Sequence, residues 1–298
     1  MSKLKDFAVR KPKLSSALLW LLSGLITIGC FMYQDKTGPT YPLEGIIDTA
    51  EGEVNFKFLR SETIGTDLKI MLLDPVPEDV NGYVQYRRYK SDDDWAEMPM
   101  AAGKFEFTRR GRTETVEGFG AELPFLQERA GKYEYFVYID DGSSAAVSVT
   151  GEKIIYARYK AEVPMTVLFF HILAIFVSMT IAIRATFAAL IEEKFKGLIK
   201  ATIISLIIGA FILGPLVQWY AFGVWWSGIP FGYDWTDNKV VVELVFWVLA
   251  AYLNRGELEN RKSVLLAGFV TLLVYFIPHS IFGSEYDYRT GTGHGTAG

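Results

Sequence analysis

Cysteine occurs once in 298 residues, as Cys30, and histidine three times, as His171, His279 and His294. One cysteine excludes internal disulfides, a paired-thiol attachment for c-type haem, and any thiolate zinc or iron–sulfur site. Residues 34–163 contain neither histidine nor cysteine. The Ser-His-Asp and Cys-His nucleophile arrangements therefore cannot be assembled within that stretch, and only carboxylate chemistry stays open there. The same stretch holds 24 acidic against 16 basic residues, a net of −8. Such a surface repels phosphates, which argues against nucleic acid as a partner.

What is present divides the chain. Half of the residues are hydrophobic, 21% are charged and the mean hydropathy is +0.20, but charge is concentrated in the first half and long apolar runs in the second. A bilayer core of about 30 Å needs roughly 17–25 helical residues. Runs of that kind lie at 14–33, 164–189, 199–222, 240–254 and 263–281, the fourth short enough to need its flanking Trp and Tyr at the membrane faces. The rival for the fourth is a core helix of a soluble domain. Lys3, Lys5, Arg10, Lys11 and Lys13 precede the first run. A cleavable signal peptide has the same layout, but no A-x-A site follows, and Thr27 spoils TIGC as a lipobox, so an uncleaved anchor is expected.

With the N-terminus inside, Arg184, Lys194, Lys196, Lys200, Arg255, Arg261 and Lys262 join the N-terminal cluster on the inner side, leaving Lys239 and Arg289 outside. This satisfies the positive-inside rule. Residues 34–163, the loop 223–239 and the C-terminus then fall outside. Arg184 is expected to snorkel from the inner end of its helix.

Residues 34–163 alternate in character: VNFKFLR (54–60), LKIMLL (68–73), YVQYRRY (83–89), KFEFTR (104–109) and KYEYFVYI (132–139). Period-two runs rich in Tyr, Phe and Val, broken by NG, DG and Pro, predict antiparallel strands, about eight of them, in a β-sandwich. The segment LQERAGKYEYFVYIDDG (126–142) resembles the late-strand region of immunoglobulin-like or fibronectin type III-like domains. The likeness covers that strand and its turn and implies architecture, not activity. Asp92, Asp93 and Asp94 lack calcium-loop spacing and read as a solvated turn. RRGR (109–112) reads as a hairpin tip.

The expected fold is thus an α+β membrane protein: five transmembrane helices plus an extracytoplasmic antiparallel β-sandwich inserted between the first and second. The parts are a basic N-terminus and anchor (1–33), the sandwich (34–163), a four-helix transmembrane domain (164–282) and a flexible tail (283–298). The tail TGTGHGTAG (290–298) lacks the strand–helix context of a phosphate loop, and His294 within it is expected to be solvated.

Ionisable residues inside a bilayer are costly and need named partners. At about 1.5 Å per residue, His171, Glu243 and His279 reach similar depths near one face, about 5–11 Å in. Gly214 and Pro215 disturb the third apolar run, since proline frees a carbonyl four residues back. Gln218 then needs a partner. Trp219, Tyr220, Trp225, Trp226, Tyr233 and Trp235 form an interfacial belt, and Thr236 or Asp237 is expected to cap the fourth helix. Gln218, Trp226, Asp234, Asp237 and Glu285 are the expected lining of an outer pocket.

Three chemistries fit: b-type haem between His171 and His279, a transition metal on His171, His279 and Glu243, or hydrogen bonding between helices. A transporter is disfavoured because no internal repeat is evident. Two functional readings follow. One is a non-catalytic accessory or scaffold subunit in a bacterial inner membrane, its sandwich displayed to periplasmic or membrane partners. The other is a redox or metal-binding membrane subunit built on His171 and His279.

Overall fold

The computed structural model describes residues 2–49, 52–73, 76, 80–109, 112–140 and 146–293. The chain divides into a helical unit (1–39 and 163–283) and a β unit (40–162 and 284–295).

Alternation in the sequence becomes two sheets in the β unit. The strands are β1 (Leu43–Thr49), β2 (Gly52–Phe58), β3 (Ser61–Thr63), β4 (Leu68–Leu73), β5 (Asn81–Arg88), β6 (Ala96–Pro99), β7 (Ala101–Arg109), β8 (Arg112–Leu123), β9 (Lys132–Asp140), β10 (Val147–Ser148) and β11 (Ile155–Lys160). One sheet runs β1-β2-β4-β8-β7 and the other β3-β11-β9-β5-β6, with β10 on β9. Every pairing is antiparallel except β3 with β11.

On β9, Tyr133, Tyr135, Val137 and Ile139 point into a core shared with Phe58, Ile70, Leu72 and Leu123 of the other sheet. A buried tyrosine needs a partner for its hydroxyl. Tyr135 donates to Leu59 O at 2.8 Å and Tyr133 to Pro124 O at 3.0 Å. Arg109 pairs with Arg112 across the β7–β8 hairpin, whose tip residues 110 and 111 lie outside the described residues. In the turn after β5, Arg88 holds Asp93 through two bonds of 2.7 and 2.8 Å.

The expected free tail starts as part of this unit. Strands β12 (Tyr286–Asp287) and β13 (Thr292–Gly293) pair with each other. Tyr286 N–H donates to Ala130 O and Tyr288 N–H to Lys90 O. Glu285 bridges Lys90, at 2.8 Å, and Lys132. Burial alone pushes the Glu285 carboxyl up, but the two ammonium groups outweigh it and hold the group below the usual carboxylate range. Two cations 195 and 153 positions upstream thus fix a segment whose composition reads as a flexible end. His294 and the residues after it lie outside the described residues.

In the helical unit, α1 (Ser2–Arg10) leads into α2 (Pro12–Thr37), with Pro12 in the first helical turn, where its missing N–H costs nothing. Next come α3 (Met165–Ile191), then α4 (Lys196–Leu206), a π-helical stretch (Ile207–Leu213) and α5 (Gly214–Phe222) as one continuous rod, and finally α6 (Trp235–Leu253) and α7 (Arg261–Tyr275). Three helices are long and apolar enough to cross a membrane: Pro12–Thr37, Met165–Ile191 and Lys196–Phe222.

The expectation of five spans is therefore corrected to three helices long and apolar enough to cross. Asp237, Lys239 and Glu243 all fall in the first nine residues of α6. α7 has 15 residues, about 22 Å of rise, because Pro278 lies just beyond and proline disfavours helix in the residue before it.

The helices meet through small side chains. Ala182, Ala185, Ala188 and Ala189 of α3 pack with Ala250 of α6, Ala267 of α7 and the indole of Trp247. At Gly268 a Cβ would stand 1.8 Å from Thr186 Oγ1, so only glycine admits this approach of α7 to α3. Leu21 and Leu25 of α2, Phe169 and Phe170 of α3 and Val245 of α6 face outward instead. Arg184 is 5% exposed and reaches along α3 to donate to Glu193, just past the end of the helix, at 2.6 Å.

Candidate functional site

Pro215 has no N–H to give to Phe211 O, and the rod widens into its π-helical stretch just upstream. Gly214 N–H reaches back five residues to Gly209 O, the bond that defines a π turn. Gly209 O also lies 2.9 Å from His171 Nδ1. A carbonyl only accepts, so Nδ1 carries the proton and Nε2 keeps its lone pair. The two helices approach this closely because Gly209 has no side chain: a Cβ would meet Ile175 N at 3.0 Å and Ile175 Cδ1 at 2.8 Å.

His279 follows α7 in a turn pinned to α6, where Ser280 N–H donates to Thr236 Oγ1 at 2.9 Å. His171 and His279 line one cavity of about 40 Å³, with Thr27, Phe31 and Gln34 of α2, Phe176 and Met179 of α3, and Tyr275 of α7. Gln34 Nε2 donates to Tyr275 O at 2.8 Å, tying α2 to α7 at this level. That volume, about 40 Å³, holds roughly three waters at about 10–15 Å³ each. It does not hold a porphyrin, so the chain's shape gives the b-type haem expectation no support.

Glu243 does not line this cavity. Its Oε1 accepts from Thr271 Oγ1 at 2.9 Å, and Thr271 Oγ1 in turn accepts from Trp247 Nε1 at 2.9 Å. The carboxylate belongs to the α6–α7 contact, and its Oε2 has no hydrogen-bond partner among the described residues. Lys239, one turn earlier, donates to Ile277 O at 2.8 Å. Among the described residues no three His, Cys, Asp or Glu side chains gather as a metal-binding group.

Four of the expected pocket residues build a separate structure at the start of α6. Asp234 is the N-cap, accepting from Thr236 N–H at 2.7 Å, where the sequence pointed to Thr236 or Asp237. Asp237 instead holds the preceding loop: it accepts from Ser227 N–H at 2.7 Å, Gly228 N–H at 3.0 Å and Gln218 Nε2 at 2.5 Å. Trp226 stacks on Phe211, with ring centroids 5.8 Å apart. Glu285, the fifth, is the ion-paired residue of the β unit.

The sequence reading missed Gln34, Tyr275, Thr271 and Lys239. Only Lys239 carried a signal, its spacing of four from Glu243 inside an apolar helix. A second hollow of about 220 Å³ lies between α6 and α7, lined by Phe246, Leu249, Leu253, Asn260, Lys262, Ser263 and Leu266. No protein-family model, no curated protein and no solved structure matches the chain.

Proposed function

We propose that the chain is a non-catalytic accessory or scaffold subunit of a bacterial envelope complex, held in the inner membrane by its helical unit with the N-terminus inside, and displaying the β unit to periplasmic or membrane partners. The observation that carries this reading is how the β unit uses its ionisable groups. It has no histidine or cysteine in 34–163, and several of its charged groups are held in internal pairs, Arg87 with Glu134 and Glu285 with Lys90 and Lys132.

An immunoglobulin-like identity for this unit is supported by the sheet order, by an opening segment divided between the sheets as β2 and β3, and by Tyr133 hydrogen bonding back to Pro124 as a tyrosine corner does. The test is photo-crosslinking in cells from exposed Ile46 and Val147. Discrete protein adducts from either position are expected. The reading fails if both give none, or if the purified chain alone turns over a substrate. Orientation is tested by Val147→Cys, which a membrane-impermeant maleimide labels in intact spheroplasts if the β unit lies outside.

One observation favours a second reading, a transition-metal subunit. The hydrogen bond to Gly209 O leaves His171 Nε2 as a free donor atom in the same cavity as His279, the usual way a ligating histidine is oriented. Titration of the purified chain with Zn²⁺ or Cu²⁺ decides it. Stoichiometric binding lost in both His171→Ala and His279→Ala favours the metal, and no binding removes it.

A further inference from the structure

The loop 223–234 between α5 and α6 combines two properties that rarely coincide. From Gly223 to Tyr233 it carries no charged residue, and its apolar side chains point outward: Phe231 is 74% exposed, Ile229 64% and Trp225 52%. Yet it is firmly braced from behind. Ser227 and Gly228 N–H donate to Asp237, Ile229 N–H to Asn238 Oδ1 at 2.8 Å, and Phe231 and Gly232 N–H to Gly228 O at 2.9 Å. Pro230, at the tip, has no N–H to satisfy. The charged residues that follow it in sequence, Asp234, Asp237 and Lys239, are all buried.

Irregular backbone is excluded from lipid because unpaired N–H groups are costly there, and this loop has paired its donors at the tip. It continues directly from Phe222, the last residue of a helix long and apolar enough to span. Trp219 in the last turns of that helix stacks on Trp225 of the loop, centroids 4.9 Å apart. Beside it, Trp235 N–H is bonded to Ile281 O, which places the turn after α7, with exposed Phe282, against the base of the loop.

We propose that residues 229–231 are a preformed wedge that enters the membrane leaflet at this end of the bundle, Ile229 and Phe231 lying below the phosphates and Trp219, Trp225 and Tyr233 at headgroup level. The occupant is lipid and not a protein partner, for two reasons. The apolar surface is continuous with that of a helix long and apolar enough to span, and the charged residues that follow the loop, Asp234, Asp237 and Lys239, are buried instead of offering the charged, solvated rim of a protein-docking site. Uncharged aromatic tips are what an interface between water and acyl chains accommodates. The wedge is independent of the role proposed for the β unit.

The experiment uses the full chain with Cys30→Ser, reconstituted in phospholipid nanodiscs and labelled with an environment-sensitive fluorophore at Phe231→Cys, or at Val147→Cys as the solvent-exposed control. Lipid bearing a spin label near the acyl carbonyl is expected to quench the label at 231 at least about twofold more than the control, and iodide to quench it about twofold less. Full iodide access without lipid quenching overturns the wedge by placing the loop in water. Protection from both quenchers overturns it equally, by placing the loop against protein.

Discussion

The two units fill their interiors with different side chains. In the β unit the largest side chains are the core: Tyr135, Tyr159, Phe58 and Leu123 are fully buried. In the helical unit six alanines surround Trp247, Phe195, Ile199 and Val264 in the core, glycine admits the close approach of α7 to α3, and Leu21, Leu25, Phe169, Phe170 and Val245 stand on the outside. Water drives the first arrangement, since burying apolar area is the dominant gain. Lipid permits the second, because hydrocarbon outside is as apolar as hydrocarbon inside, and close backbone approach is what small residues add.

The largest expected difference between the units appears when one large side chain is deleted from each. Tyr135→Ala is expected to cost about 4 kcal/mol, removing a filled core position and a bond to Leu59 O. Leu25→Ala, on the exposed face of α2, is expected to cost less than about 0.5 kcal/mol in a bilayer. Hydrogen exchange of the full chain in nanodiscs reads both, from peptides over 132–140 and over α2. Equal losses would mean that the units share one packing logic.

Next in size is the ion pair that ties residues 284–293 to the β unit. Glu285→Gln leaves Lys90 and Lys132 together without their carboxylate, a loss of roughly 3 kcal/mol. Faster exchange is expected at β9 and at residues 285–293, with α3 unchanged. The counterpart in the helical unit is Gly268→Ala, which places a methyl against Thr186 Oγ1. About 2 kcal/mol is expected, seen as faster exchange across α3 and α7 with the β unit untouched.

What the sequence disclosed follows the same division. Strands were legible because alternation such as KYEYFVYI maps one-to-one onto a face turned inward and a face turned outward. The first three apolar runs were legible because length and hydropathy suffice for a helix of 26 or 27 residues. The count of five failed where those criteria weaken: α6 hides three ionisable residues by turning them toward the protein, and α7 stops before Pro278. At the site, His171 and His279 were singled out by their rarity, but Glu243 was grouped with them by depth alone. Depth does not fix azimuth, and Glu243 faces Thr271. The role of Glu285 was illegible because its partners lie more than 150 positions away.

The smallest effect separates the units by acid. Asp93 is held below the usual carboxylate range by its bonds from Arg88, and Glu285 by its two lysines against the opposing pull of burial. A group whose folded pKa lies below its unfolded one contributes stability that is complete above the ordinary value, near 4, and is lost as the pH falls through the folded value. The melting temperature of the β unit is therefore expected to be level from about pH 8 to about pH 5 and to fall below about pH 4. Asp93→Asn, which removes a partly exposed pair worth about 0.5–1 kcal/mol, should flatten the fall slightly, and Glu285→Gln should flatten it more, because the variant has no proton to take up at that site. An acid fall of unchanged steepness in Glu285→Gln would show that the lysine cluster does not set the pH response of the β unit, and would leave packing alone to distinguish the two halves.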